Sequence, residues 1–158
     1  TTKISFYEDT YSLYNLYRFS HYYEEAYGKY IWLKSGASLV IEHTEAMTVI
    51  DVNTGSVLKK KKQEDTLFYQ INREAAKEIA RQLRLRNISG IIMIDFINMK
   101  DTAQKEKLLS LLDSECKKDR VHCNVIDMTA LNLVEMTRSK VRKPLHEQIR
   151  SCMKNNRS

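Results

Sequence analysis

No apolar run in the 158 residues approaches the roughly 18 that a membrane-spanning helix needs. The opening, TTKISFYEDT, also lacks the charged-then-apolar layout of a secretory signal. A soluble, cytoplasmic chain without a membrane span is the expectation. The three cysteines, Cys116, Cys123 and Cys152, are odd in number and form no CxxC pair, which speaks against a disulfide framework or a self-contained zinc site. The first two read as packing residues. His21, His43, His122 and His146 show no metal-ligand spacing, and the chain has no glycine-rich phosphate loop, no GxSxG elbow and no Cys/His nucleophile pattern. There is one proline, Pro144, and no internal repeat or low-complexity tract.

What remains is a chain suited to one domain with a real core, 42% hydrophobic by composition. Its formal charge of +6 and pI near 9.2 fit either an anionic partner or solubility alone.

Eight of the nine tyrosines fall within the first 30 residues, without regular apolar periodicity, so residues 1–29 read as an arm or the remnant of a neighbouring domain. From Tyr30, YIWLKSGASLVIEHTEAMTVIDV reads as two or three β-rich runs, punctuated at Ser35-Gly36 and by a polar turn over 42–45. After the charged loop VLKKKKQEDT, the spacing of Ala75, Ala76, Ile79, Ala80 and Leu83 predicts a helix, with Asn72 as its N-cap. Residues 87–90 supply a stop, and IIMIDF (91–96) suits a buried strand. Strand, helix and strand in that order predict a βαβ crossover, with Asp51 and Asp95 leaving the carboxyl ends of parallel neighbours. A second helix over 101–118, a strand over 121–127 and the basic segment TRSKVRKP complete a mixed α/β structure, a mixed sheet with packed helices.

The stretch MTVIDVNTG (47–55) carries the chemical question. In an extended chain Asp51 and Asn53 project to one side while Val52 points away. Ligands of open α/β sheets bind at the carboxyl ends of strands. Two carboxylates brought together there repel, so one holds a proton or a cation sits between them. A hard divalent ion such as Mg²⁺ suits that arrangement, because it takes oxygen ligands and retains several waters. Asn53 then orients the Asp51 carboxylate or touches the substrate. The competing reading is that strand-end aspartates cap the following turn. The basic residues Lys59, Lys60, Lys61 and Lys62, with Arg138, Lys140, Arg142 and Lys143, are either solvated surface or phosphate contacts.

Three blocks, SGASLVIEHTEAMTVIDVNTGS (35–56), NREAAKEIARQLRLRNISGIIMIDFINM (72–99) and LVEMTRSKVRKPL (133–145), closely resemble the ribonuclease E/G family, in the family's order. The resemblance covers residues 30–147. It implies a deoxyribonuclease-I-like catalytic subdomain of a Mg²⁺-dependent endoribonuclease that hydrolyses single-stranded RNA to 5′-phosphate and 3′-hydroxyl ends. Carried onto this sequence, it assigns the metal to Asp51 and Asp95 and an assisting role to Asn53. Residues 1–29 then correspond to the closing piece of a ribonuclease-H-like part, and residues 148–158 to a tail. A module that keeps the fold as an RNA-binding or assembly unit, without turnover, is the alternative.

The sequence departs from the family in several places. Asn98 stands where many relatives carry aspartate, and Glu42 where they often carry aspartate too. Full-length members of the family place RNA-gripping modules, an OB-fold among them, before the catalytic unit, so this stretch reads as a fragment of a longer protein and weak activity of the isolated chain is the expectation. The family also joins protomers through a zinc ion held by a CPxCxG-like motif. EQIRSCMKNNRS offers only Cys152, either a remnant of that motif or an unrelated thiol. Zinc is therefore not expected here, and a homo-oligomer formed through that link is in doubt.

Overall fold

The alternation in MTVIDVN becomes strand β3 (Met47–Asn53), with Thr48, Ile50 and Val52 buried on one face. The computed structural model describes residues 4–55 and 64–155, apart from the side chains of residues 23–25, 64 and 152–155. β3 pairs in parallel with β4 (Gly90–Asp95), in a register that sets Met47 opposite Ile91 and Asp51 opposite Asp95. A parallel pair needs a crossover element, and helix α3 (Glu64–Leu85) supplies it. Its buried residues Ile71, Ala75, Ala76, Ile79, Ala80 and Leu83 recur at three- and four-residue spacing.

On the far side of β3, β2 (Ser38–His43) pairs antiparallel with it, and β1 (Tyr30–Trp32) forms the edge. β4 leads into α4 (Thr102–Cys116), which is followed by β5 (Cys123–Met128) and β6 (Leu133–Arg138). β6 inserts beside β4, antiparallel, so the described strands form one sheet in the order β1-β2-β3-β4-β6-β5. The expected mixed α/β architecture and its βαβ crossover are present.

The sheet is two-faced. Leu39, Ile50, Val52, Ile92, Ile94, Val134 and Met136 join Ile71, Ile79 and Leu83 of α3 and Leu108 and Leu112 of α4 in one apolar cluster. Val49, Asp51, Met93, Asp95 and Glu135 alternate with those strand residues and point to the other face, which is half-buried or exposed. Ile91 on that face is 49% exposed.

Local chemistry explains the helix ends. Asn87, at φ 48°, ends α3 in the left-handed conformation. Its amide bonds to the Arg84 carbonyl at 3.2 Å and the Ile88 amide to the Leu83 carbonyl at 3.0 Å, the paired bonds of a Schellman cap. Asp101 caps α4 by accepting from the Ala103 amide.

The structure differs from the expectation in four places. Asn72 is not an N-cap: the described part of α3 begins at Glu64, and Asn72 lies within the helix, fully buried. Its carboxamide accepts from the Ile97 amide at 3.0 Å and donates to the Ile97 carbonyl at 2.7 Å, pairing with the chain just beyond β4 as a neighbouring strand would. The strand expected over 121–127 runs from Cys123 to Met128, and β6 is a strand outside the expectation, although Val134, Met136 and Arg138 alternate inward. The first residues form α1 (Leu13–Leu16) and α2 (Phe19–Tyr27), and α1 buries nothing. Among the described residues no helix is long and apolar enough to cross a membrane. Cys116 is buried and Cys123 is half-buried against the core, both with free thiols, as packing residues would be.

Helix α5 (Leu145–Asn155) docks beside β2 by stacking His146 on His43, with ring centroids 3.8 Å apart. Burial holds His43 down at about 4, helped by His146 and Arg86 and opposed by Glu147. Burial likewise lowers His146. The unfolded chain binds protons more readily here than the native one. Stability from the stack is therefore complete above the ordinary histidine value of 6.5 and is lost as pH falls from there towards about 4. Thermal melts across that window are expected to show a falling Tm, with a shallower fall in His43→Gln.

Arg138 is 4% exposed and works as an internal brace. Its Nε donates to Asp119 at 2.9 Å, and its terminal nitrogen donates to the Asn87 side chain at 3.0 Å and the Ile88 carbonyl at 2.9 Å. Burial alone would raise the Asp119 carboxyl, but the Val121 amide and Arg138 bring it below the usual carboxylate range. Arg138→Met strands that buried carboxylate and is expected to cost about 3–5 kcal/mol in denaturant unfolding.

Candidate active site

Asp51 and Asp95 are Cα partners across the parallel β3–β4 pair, at the carboxyl ends of both strands. The register brings them side by side without any loop having to place them. Asn53 follows on the same face, as the strand period requires, and its Nδ2 donates to Asp51 Oδ2 at 2.7 Å. The amide thus fixes the orientation of one carboxylate and leaves its second oxygen for a ligand. Partial burial, and then the negative charge of Asp51, push the Asp95 carboxyl above the usual range. Both causes describe a site that disfavours its own second charge.

That donor set fits a hard divalent cation. It offers two carboxylates and an amide, all oxygen-bearing, and a positive ion between the acids removes the repulsion felt by Asp95. No group of three or more His, Cys, Asp or Glu gathers among the described residues, so a bound ion would complete its shell with water or substrate oxygens.

The glycine of the NTG sequence also has a physical reason. Gly55 is at φ +57°, and a Cβ there would lie 2.7 Å from the Gly36 carbonyl oxygen in the β1–β2 turn. The chain leaving Asn53 therefore runs against that turn, which Glu74 of α3 holds by accepting from the Lys34 and Ser35 amides. On the β4 side, Asn72 holds the chain two residues past Asp95.

The other sequence-derived residues are not gathered at this site. Lys59, Lys60, Lys61 and Lys62 lie outside the described residues. Arg138 pairs in register with Gly90, so the segment after it leaves from the opposite end of the sheet. Arg138 itself is committed to the brace, Lys140 lies 4.0 Å from Glu147, and Arg142 and Lys143 are exposed. Cys152 falls in α5, its side chain outside the described residues. Glu42 pairs with Lys29, and Asn98 is exposed just past β4.

Lys105 was not foreseen. It lies at the start of α4, half-buried, and donates to Asn132 Oδ1 at 2.6 Å. Leu133, the next residue, is the register partner of Asp95, so this ammonium belongs to the carboxylate end of the sheet. The available signal was electrostatic: a lysine four residues after an N-cap stands where the helix dipole disfavours a cation.

A sequence profile described as the ribonuclease E/G family matches residues 1–141. Ribonuclease G of Escherichia coli strain K12 is 41% identical over 145 residues, covering 92% of this chain and 29% of the relative. Ribonuclease G of Haemophilus influenzae is 42% identical over 143 residues, covering 90% and 29%. Ribonuclease E of a Nostoc species is 42% identical over 115 residues, covering 73% and 17%. The chain spans less than a third of the length of these relatives.

Without a cation the carboxylate pair costs stability. The folded Asp95 keeps its proton to a higher pH than the unfolded chain does, so the penalty sets in as pH rises through the ordinary value of 3.8 and is complete at neutrality. Asp95→Asn is therefore expected to raise Tm by about 1–2 °C in EDTA at pH 7. Gly55→Ala is expected to lower stability by more than about 1 kcal/mol. Calorimetry of the two variants beside the parent reads both effects.

Proposed function

The chain belongs to the ribonuclease E/G family, and we propose that it carries the metal-dependent phosphodiester-cleaving site of an endoribonuclease, built on a deoxyribonuclease-I-like subdomain. The observation that supports this best is the register pairing of Asp51 with Asp95, with Asn53 bonded to the first and the second held above its usual carboxylate range. The reaction read from it is hydrolysis of single-stranded RNA. Water attacks phosphorus in line, the bond to the 3′-oxygen breaks, and the products carry a 5′-phosphate and a 3′-hydroxyl.

Asp51 and Asp95 would hold a Mg²⁺ ion. When bound, the ion neutralises charge on the scissile phosphate and assists the attacking water. The chain's own groups do the positioning. Asn53 locks the Asp51 carboxylate through its Nδ2–H. Asn72 fixes the backbone beyond Asp95. Lys105, at the same end of the sheet, would take a phosphate oxygen of the bound strand. Such contacts hold RNA without reading its sequence.

Cleavage of a 5′-monophosphorylated, AU-rich single-stranded RNA at low salt tests the reading. Mg²⁺-dependent cleavage is expected from the parent, with none detectable from Asp51→Asn or Asp95→Asn, and a loss of about ten- to a hundredfold in Asn53→Ala. Mg²⁺ should raise the parent's Tm and leave that of Asp95→Asn unmoved. A parent that binds Mg²⁺ yet does not cut would be a competent site lacking its RNA-holding domains, and a parent that binds no Mg²⁺ would overturn the catalytic reading.

A further inference from the structure

At the end of the sheet opposite the carboxylates, a groove of about 500 Å³ is lined by Arg84, Lys118, Arg120 and Arg142, with Asn87, Asp119 and Arg138 at its base. It forms where three connections meet: the Schellman end of α3, the turn between α4 and β5, and the segment leaving β6. Part of the charge inside is already matched. Asp119 is committed to Arg138 at 2.9 Å, and Lys118 to Glu115 at 2.6 Å.

Arg84, Arg120 and Arg142 remain, all exposed and none in an ion pair with a described carboxylate. Arg84 sits in the last turn of α3, where the helix dipole favours a cation. Its guanidinium makes only a long 3.5 Å bond to the Glu115 carbonyl. Arg84 also helps to hold the Asp119 carboxyl low, but no described carboxylate pairs with Arg120 or Arg142, and the groove keeps an excess of positive charge that an anion would relieve. The rigid wall is already built: Asn87 Nδ2 holds the Arg142 carbonyl at 2.9 Å, and Arg138 ties Asn87 and Asp119 together.

We propose that this groove is a second RNA-binding site, in which Arg84, Arg120 and Arg142 take backbone phosphates of the strand at a distance from the phosphate being cut. The inference rests on the reading of the chain as a nuclease acting on RNA. The six residues of β4 set the two ends of the sheet roughly 17 Å apart, and the groove lies against the ends of α3 and α4, so a strand that reaches both sites wraps over that end of the sheet. A polyanion suits the groove better than a single small anion, because the three guanidiniums stand on three different connections and each presents its own fork of donors.

The test is fluorescence anisotropy of a 20-nucleotide single-stranded RNA in EDTA, which reports binding without cleavage, over a range of KCl concentrations. Three proteins are compared: the parent, the triple variant Arg84→Gln/Arg120→Gln/Arg142→Gln, and the control Lys34→Gln/Lys77→Gln/Lys107→Gln, which removes equal charge from other surfaces. Each phosphate contact on a single strand contributes about 0.7 to the slope of log K against log salt. The arginine variant is expected to lose about 2 from that slope, with affinity down roughly tenfold or more, while the control keeps the parent's slope. Thermal melts confirm that both variants remain folded. Equal slopes for all three proteins, or an equal fall in both variants, would overturn the second site while leaving the cleavage reading intact. A parent that binds no RNA in EDTA would likewise overturn the second site, while the Mg²⁺-dependent cleavage assay tests the nuclease reading separately.

Discussion

The parallel pairing of β3 with β4 is the constraint on which the rest of the molecule depends. Parallel neighbours cannot be joined by a tight turn, so the chain must cross over, and that need calls for α3 with its apolar stripe of Ile71, Ala75, Ile79 and Leu83. The same pairing sets Asp51 opposite Asp95. A register slip of one residue would carry one carboxylate into the core and expose Ile50 or Ile94, both now fully buried. Core packing thus enforces the geometry of the site from a distance, since the hydrophobic residues that fix the register are the alternate neighbours of the acids.

Charge is distributed along the strands in a related way. The carboxylates occupy the end of the sheet where β3 and β4 finish, and the unpaired arginines occupy the end where β4 begins and β6 finishes. Between them lies a sheet face that the described helices leave uncovered, with Val49, Met93 and Glu135 half-buried.

Much of this was legible in the sequence because period and local chemistry agreed. MTVIDVN alternates, the α3 stripe repeats at three and four, and both point to the crossover that the structure contains. Where they diverged, the expectation failed for identifiable reasons. Asn72 has the chemistry of an N-cap, but its carboxamide is used for a tertiary pairing with Ile97, a contact 25 residues away that no local signal encodes. β6 was missed because its inward positions include Arg138, and an arginine reads as surface until Asp119, from a turn 19 residues earlier, is known to meet it. The basic run after it looked like one patch on the chain, whereas folding buries Arg138 and sends Arg142 to a groove shared with Arg84 and Arg120.

The carboxylate pair is a local conflict that the fold tolerates. Exposed acids on separate loops would drift apart, but Asp51 is bonded to Asn53, and the chain past Asp95 is bonded to Asn72. Neither acid can relax away without breaking the register that buries Ile50 and Ile94. The repulsion is therefore retained in the native state and adds to partial burial, the larger cause, in raising the Asp95 carboxyl. A group that neutralises the pair gains the free energy otherwise lost to repulsion, in addition to its own contacts. The rigidity of the sheet is thus what keeps two ordinary aspartates side by side.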